Sequence, residues 1–190
     1  MKPEKFGELL EEKLLSASAL SLPDTPYSKL SEEILEMAKA YQKDGFTFLA
    51  SGDIVNAHAS FAYGFGWLDF GVKSGLIDGL PVKKRVPFFA EEMPQNLLEH
   101  LFEKTNRYQR MLSEALCSVS PAPDAESPLY AFSKDILKSA DEYLKSGELY
   151  LNSENYVSAL AHFSYGYGLL DASVRSGLFI INKNRGLFTV

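Results

Sequence analysis

Cysteine is nearly absent from this 190-residue chain, as are tryptophan and histidine: one Cys, one Trp and three His. A single cysteine excludes an intrachain disulfide and fits a reducing compartment. Cys117, flanked by Leu116 and Val119, reads as a small apolar core residue. No window approaches the roughly 20 apolar residues that a membrane span needs. The first residues, MKPEKFGELLEEKLL, alternate charged with apolar side chains and do not read as a signal peptide. A cytoplasmic, soluble protein with no membrane partner is expected. Metal-ligand spacings are missing too, for no HxxxH, HExxH, CxxC or Glu-xx-His occurs. Gly64-Phe65-Gly66 and the run from Gly75 to Gly79 match neither phosphate-binding nor dinucleotide fingerprints, and no Gly-x-Ser-x-Gly elbow is present. These gaps imply no catalytic residue, no metal and no cofactor. The net charge of −6 makes nucleic acid the least supported partner. The only basic run, Lys83-Lys84-Arg85, is short and reads as a solvated loop.

What is present is repetition. Sliding the chain by 102 residues aligns 34–77 with 136–179 without a gap, with 21 identities in 44 positions. The strongest block sets FAYGFGWLDFGVKSGLI over FSYGYGLLDASVRSGLF. Upstream, Thr25-Pro26 falls on Ser127-Pro128, the hydroxyl and proline pair expected at a helix start. Apolar residues at spacings of three and four follow: Leu30, Ile34, Ala38, Tyr41, Gly45 and Phe48 in one copy, Phe132, Ile136, Ala140, Tyr143 and Gly147 in the other. Ser51-Gly52-Asp53 and Ser153-Glu154-Asn155 break the pattern, with Gly52 suited to a left-handed position and Asp53 and Asn155 to N-caps. A second helix is expected over 54–74 and 156–176, and so short a turn forces an antiparallel hairpin. A third helix precedes each hairpin, over 4–20 and 95–119, each followed by a proline-containing linker whose length is expected to differ between the copies.

The expected fold is therefore all-α: two tandem three-helix units, 4–77 and 95–181, packed as a pseudo-symmetric bundle. Residues 78–94 form a linker and 182–190 a tail. Extended pieces at 86–89 and 187–190, paired with each other, are a further expectation.

The second hairpin helix is the strangest part. Gly64 and Gly66, with Gly166 and Gly168, stand in its middle, and each costs about 1 kcal/mol relative to alanine. Close approach of a neighbour explains such glycines. An alternative is a space beside Tyr63 and Tyr165 for a small planar ligand. Asp69 with Lys73, and Asp171 with Arg175, form the only charged pair kept in both copies, in the favourable acid-first i,i+4 order. Tyr63, Asp69, Lys73, Tyr165, Asp171 and Arg175 are accordingly the candidate ligand-binding residues. His58 and His162 fail the repeat, since Leu160 and Ser60 stand at their counterparts.

Gly45, Phe48, Ala57 and Phe61, repeated by Gly147, Tyr150, Ala159 and Phe163, follow the interlocking logic of a tetratricopeptide hairpin, though with one hairpin per 102 residues. The closer resemblance is to the family called domain of unknown function 357. The first copy supplies Ser51-Gly52-Asp53, Ala57, Tyr63, Gly66-Trp67-Leu68-Asp69, Gly71-Val72-Lys73 and Gly75-Leu76. The second supplies Glu114-Ala115-Leu116, Tyr165, Gly168, Leu170-Asp171, Val174-Arg175 and Gly177-Leu178, departing at Leu169, Ser173 and Glu154. The resemblance implies a small helical fold in an archaeal cytosol and carries no activity with it. The expected function is a non-enzymatic protein-interaction or assembly module, binding another protein or itself. The alternatives are a small-molecule or nucleotide pocket notched by glycine, or RNA binding.

Overall fold

The computed structural model describes residues 2–79 and 93–189. Six helices carry the fold: α1 (Pro3–Ser16), α2 (Pro26–Ala50), α3 (Ile54–Lys73), α4 (Leu98–Leu116), α5 (Pro128–Asn152) and α6 (Tyr156–Arg175). Helices α1 to α3 make one unit and α4 to α6 the other. The expected start signals do their work: Thr25 and Ser127 accept from the backbone N–H of Ser28 and Tyr130, with proline at the first helical position. Asp53 and Asn155 cap α3 and α6 through the N–H of Asn56 and Ser158. Gly52 takes the left-handed conformation (φ +82°), and Glu154 takes it as well (φ +61°), a strained choice for a residue with a Cβ.

Two helices end sooner than their apolar pattern suggests. After Ser16 and after Leu116 the chain turns into short strands, β1 (Ser18–Ala19) and β3 (Val119–Pro121). Each pairs antiparallel with the strand that leaves its own hairpin, β2 (Ile77–Asp78) or β4 (Phe179–Ile181). Backbone bonds from Leu20 to Leu76 and from Ala122 to Leu178 extend the ladders. A helix reaching residue 20 or 119 forgoes these bonds, which tie the open end of each three-helix unit. Register also corrects the expectation of unequal linkers. Ala19 pairs with Ile77 as Pro121 does with Phe179, so the offset of 102 runs unbroken from the first strand onward.

Cys117 is exposed rather than in the core. It caps α4, and the neighbouring buried place goes to Ser118, whose hydroxyl bonds back to Glu114 O. Residue 78, expected to open the linker, belongs to β2. Leu187, expected in an extended tail piece, lies in a 3-10 turn (Arg185–Leu187). Residues 83–85 and 86–89 lie outside the described residues, so the pairing expected of 86–89 does too.

The bundle is organised around α3 and α6. Residues 61–71 of α3 and 159–174 of α6 are buried without a break, the mark of a central helix. The two lie side by side and parallel about a pseudo-two-fold axis, with α2 and α5 packed outside them. His58 near the start of α3 meets Val157 O near the start of α6, while Phe70 near the end of α3 faces Phe132 across the axis (centroids 6.2 Å apart). A smaller cluster of Val55, Ala59, Met93, Leu101 and Leu160 closes the end where α3 and α6 begin. It is built by the first turns of α4, which have no counterpart in α1.

Candidate functional site

The glycines of the central helices are contact points. A Cβ on Gly66 would overlap Tyr165 O, and one on Gly168 would overlap Tyr63 O. The two backbones touch at the axis, reciprocally, as close small-residue packing allows. Gly64 and Gly166 face their own units: added Cβ atoms would stand 3.0 Å from Leu10 and 2.9 Å from Tyr143. Gly45 and Gly147 give way to the rings of Phe61 and Phe163, the hairpin interlock that the spacing suggested.

Bringing the backbones this close places two tyrosines opposite two aspartates. Tyr63 Oη donates to Asp171 Oδ2, and Tyr165 Oη donates to Asp69 Oδ2. All four side chains are buried. The candidate residues therefore combine across the copies rather than within them. Tyr63 and Asp69 are six residues apart on one helix and point to different sides of it, so they do not converge. Burial pushes both phenols well above their usual pKa, and the facing carboxylate adds to the rise. The Trp67 indole N–H meets no acceptor at hydrogen-bonding geometry and works only weakly against the rise at Tyr63. Each phenol keeps its proton and serves its partner carboxylate as a donor. Tyr41 and Tyr143 pack their rings, tilted, against Tyr63 and Tyr165 at centroid distances of 4.4 and 4.3 Å.

Beyond this cross the contacts among the described residues differ between the copies. Asp69 Oδ2 has Lys73 Nζ at 3.6 Å, the expected i,i+4 pair. Arg175 does not pair with Asp171. The oxygens of Asp171 are taken by Tyr63 and by the tail, through Thr189 N (2.9 Å) and Thr189 Oγ1 (2.6 Å). Tyr167 Oη holds the same tail at Leu187 O. Arg175 instead forks onto Glu33 of the other unit, Nε and Nη2 at 2.9 and 3.0 Å. Glu33 and Thr189 were not among the candidates, because among the described residues both belong to contacts that only one copy makes.

Two of the three histidines are spent on helix packing. His58 Nε2 meets Val157 O, and His162 Nδ1 meets Ser158 O; burial lowers the His58 pKa to about 4. Among the described residues no three His, Cys, Asp or Glu gather as a metal would need, and no helix is long and apolar enough to cross a membrane.

At the opposite end of the axis from the small cluster, where all four strands lie, an apolar groove of about 170 Å³ opens. The copies line it with paired positions: Tyr27 and Leu129, Leu30 and Phe132, Leu76 and Leu178. Among the described residues no charged side chain lines it. Leu20 and Leu22, in the linker bonded to Leu76, are also exposed.

No curated protein and no solved structure matches the chain. One family model does, twice, over residues 5–77 and 107–179, again 102 residues apart. The two matches span α1 to α3 and the corresponding part of α4 to α6, including both tyrosines and both aspartates of the cross. By that double match the chain belongs to the family described as protein of unknown function DUF357, of which it holds two tandem copies.

Proposed function

We propose that this protein is a non-enzymatic association module, and that its axial groove docks the same groove of a second copy. The observation that carries the reading is the uncharged lining of that groove, together with the exposure of Tyr27 (65%) and Leu129 (58%) beside it. Large apolar side chains gathered at one end favour a protein contact. Leu15, Leu20, Leu22 and Ile180 are exposed at the same end, where α1 stops and the strands pair. The pseudo-two-fold relation favours a copy of the chain over an unrelated partner. A two-fold contact requires a patch that meets itself, and paired lining positions supply it. Enzymatic use of the crossed tyrosines and aspartates gains no support, because their polar atoms are buried and already bonded to one another. A cytoplasmic setting belongs to the same reading, supported by the exposed free thiol of Cys117.

Sedimentation of the full chain over a wide concentration range tests this. The expected result is reversible dimerisation that Leu129→Glu abolishes without lowering the melting temperature, since Leu129 is exposed. A wild-type chain that stays monomeric at about 100 μM, or a Leu129→Glu dimer as tight as wild type, overturns it.

A further inference from the structure

A cavity of about 510 Å³ lies away from the axis, between α2, the flank of α3, the end of α6 and the C-terminal tail. Its size suits a small organic ligand. Met37, Trp67 and Phe188 give it an apolar, aromatic wall. Trp67 is fully buried, and among the described residues its Nε1 meets no acceptor at hydrogen-bonding geometry. Two acidic side chains and one basic one complete the lining: Glu33, Glu36 and Arg175. Their states differ. Arg175 has its charge paired by its fork onto Glu33. Glu36 has no ion pair or hydrogen bond among the described residues, leaving one uncompensated negative charge at the mouth of an aromatic cavity.

We propose that this cavity binds a small organic cation with a flat apolar body, such as an arylalkylamine. Its ammonium group pairs with Glu36 while its ring packs between Trp67, Met37 and Phe188. The ammonium gains a charge-assisted contact with the carboxylate, and the ring gains packing against the aromatic wall. An anion gains less, because among the described residues the one cation in the lining already has its charge paired with Glu33. The duplication supplies an internal contrast. At the positions 102 residues on, Glu36, Met37 and Trp67 are replaced by Lys138, Ser139 and Leu169. The charge is inverted and both the thioether and the indole are gone, so one side of the molecule alone has this chemistry. The proposal is independent of association through the axial groove.

Trp67 is the single tryptophan of the chain, so its emission reports on the site directly. Phenethylamine, titrated into the full-length protein, is expected to change that emission saturably at sub-millimolar concentration. Phenylpropionate, of similar size and opposite charge, is expected to leave it unchanged. Glu36→Gln is expected to weaken phenethylamine binding about tenfold, the scale of one lost charge-assisted contact. Glu36 is exposed, so an unchanged thermal melt of the variant confirms that the fold is intact. The proposal is overturned if phenethylamine gives no saturable change, if phenylpropionate binds as tightly, or if Glu36→Gln binds the amine like wild type.

Discussion

The axis of the molecule and its flanks carry the same sequence repeat to different ends. Along the axis the copies do the same thing twice: glycine against backbone and tyrosine onto aspartate. On the flanks they diverge. Asp171 is closed over by Thr189 and Arg175 reaches across to Glu33, whereas Asp69 keeps Lys73 of its own helix. The difference follows from what each position touches. A residue on the axis faces its own counterpart's neighbours, so a change in one copy is felt by both. A flank residue meets only local partners, and each copy is free to change alone.

The sharpest way to break the comparison is to add a methyl group on the axis. Alanine normally gains about 1 kcal/mol over glycine inside a helix. At Gly66 or Gly168 the new Cβ would run into backbone of the other copy, which has no rotamer to yield. We expect Gly66→Ala to lose 3 kcal/mol or more, on the order of a severe overpacking, and Gly168→Ala to lose a similar amount. Urea unfolding of the two variants measures this; a gain in stability at either site would show that the helices do not touch there.

Second in size is the pH response of His58, which breaks the symmetry inside the core, its counterpart being Leu160. Burial holds the folded-state pKa near 4, against about 6.5 unfolded. The folded state thus refuses a proton that the unfolded state accepts. The stability contribution is full above pH 6.5 and is lost as pH falls toward 4, by about 3 kcal/mol across the window. His58→Leu, which copies the other unit, should flatten that part of the stability–pH profile. A slope as steep as wild type would exclude His58 as its source.

Much of this was legible in sequence, and the boundary of legibility is the same line between axis and flank. Helices, caps and the two units follow from local rules that Thr25-Pro26, Ser127-Pro128, Asp53 and Asn155 obey. The repeat also picked out Tyr63, Tyr165, Asp69, Asp171 and the glycines as residues of consequence. It did not say that Tyr63 belongs with Asp171, because a periodic pattern describes one helix and not which neighbour it faces. The roles of Glu33, Thr189 and the cavity around Trp67 left no trace in it, since among the described residues each belongs to a contact that only one copy makes. The early ends of α1 and α4 were hidden for another reason. The apolar spacing continues past Ser16 and Leu116, and only strand pairing with 77–78 and 179–181 decides against the helix.

A third experiment compares the two arms of the cross. Among the described residues, Tyr165→Phe leaves Asp69 with Lys73 at 3.6 Å, whereas Tyr63→Phe leaves Asp171 its two bonds from Thr189. A buried acceptor deprived of its donor costs about 1–3 kcal/mol. We expect Tyr165→Phe near the upper end of that range and Tyr63→Phe near the lower. Adding Thr189→Val should raise the cost of Tyr63→Phe and leave that of Tyr165→Phe unchanged, a coupling that a double-mutant cycle reads directly. Equal costs with no coupling to Thr189 would mean that the tail contributes nothing to holding Asp171.

The smallest effect sits furthest from the axis. Arg175 and Glu33 link the two units through a half-exposed, bidentate pair, a geometry at the favourable end for surface ion pairs but still worth about 1 kcal/mol at most. Its counterpart is not made, since Lys73 turns to Asp69 and Asp135 has no ion pair among the described residues. Glu33→Gln should therefore lower stability slightly, and the loss should shrink as salt is added, because an exposed pair is screened. Asp135→Asn, the same change at the repeat-related position, should alter neither stability nor its salt dependence. If both variants behave alike, the cross-unit link is not a property of the molecule in solution, and the divergence of the flanks reduces to the tail over Asp171 and the cavity at Trp67.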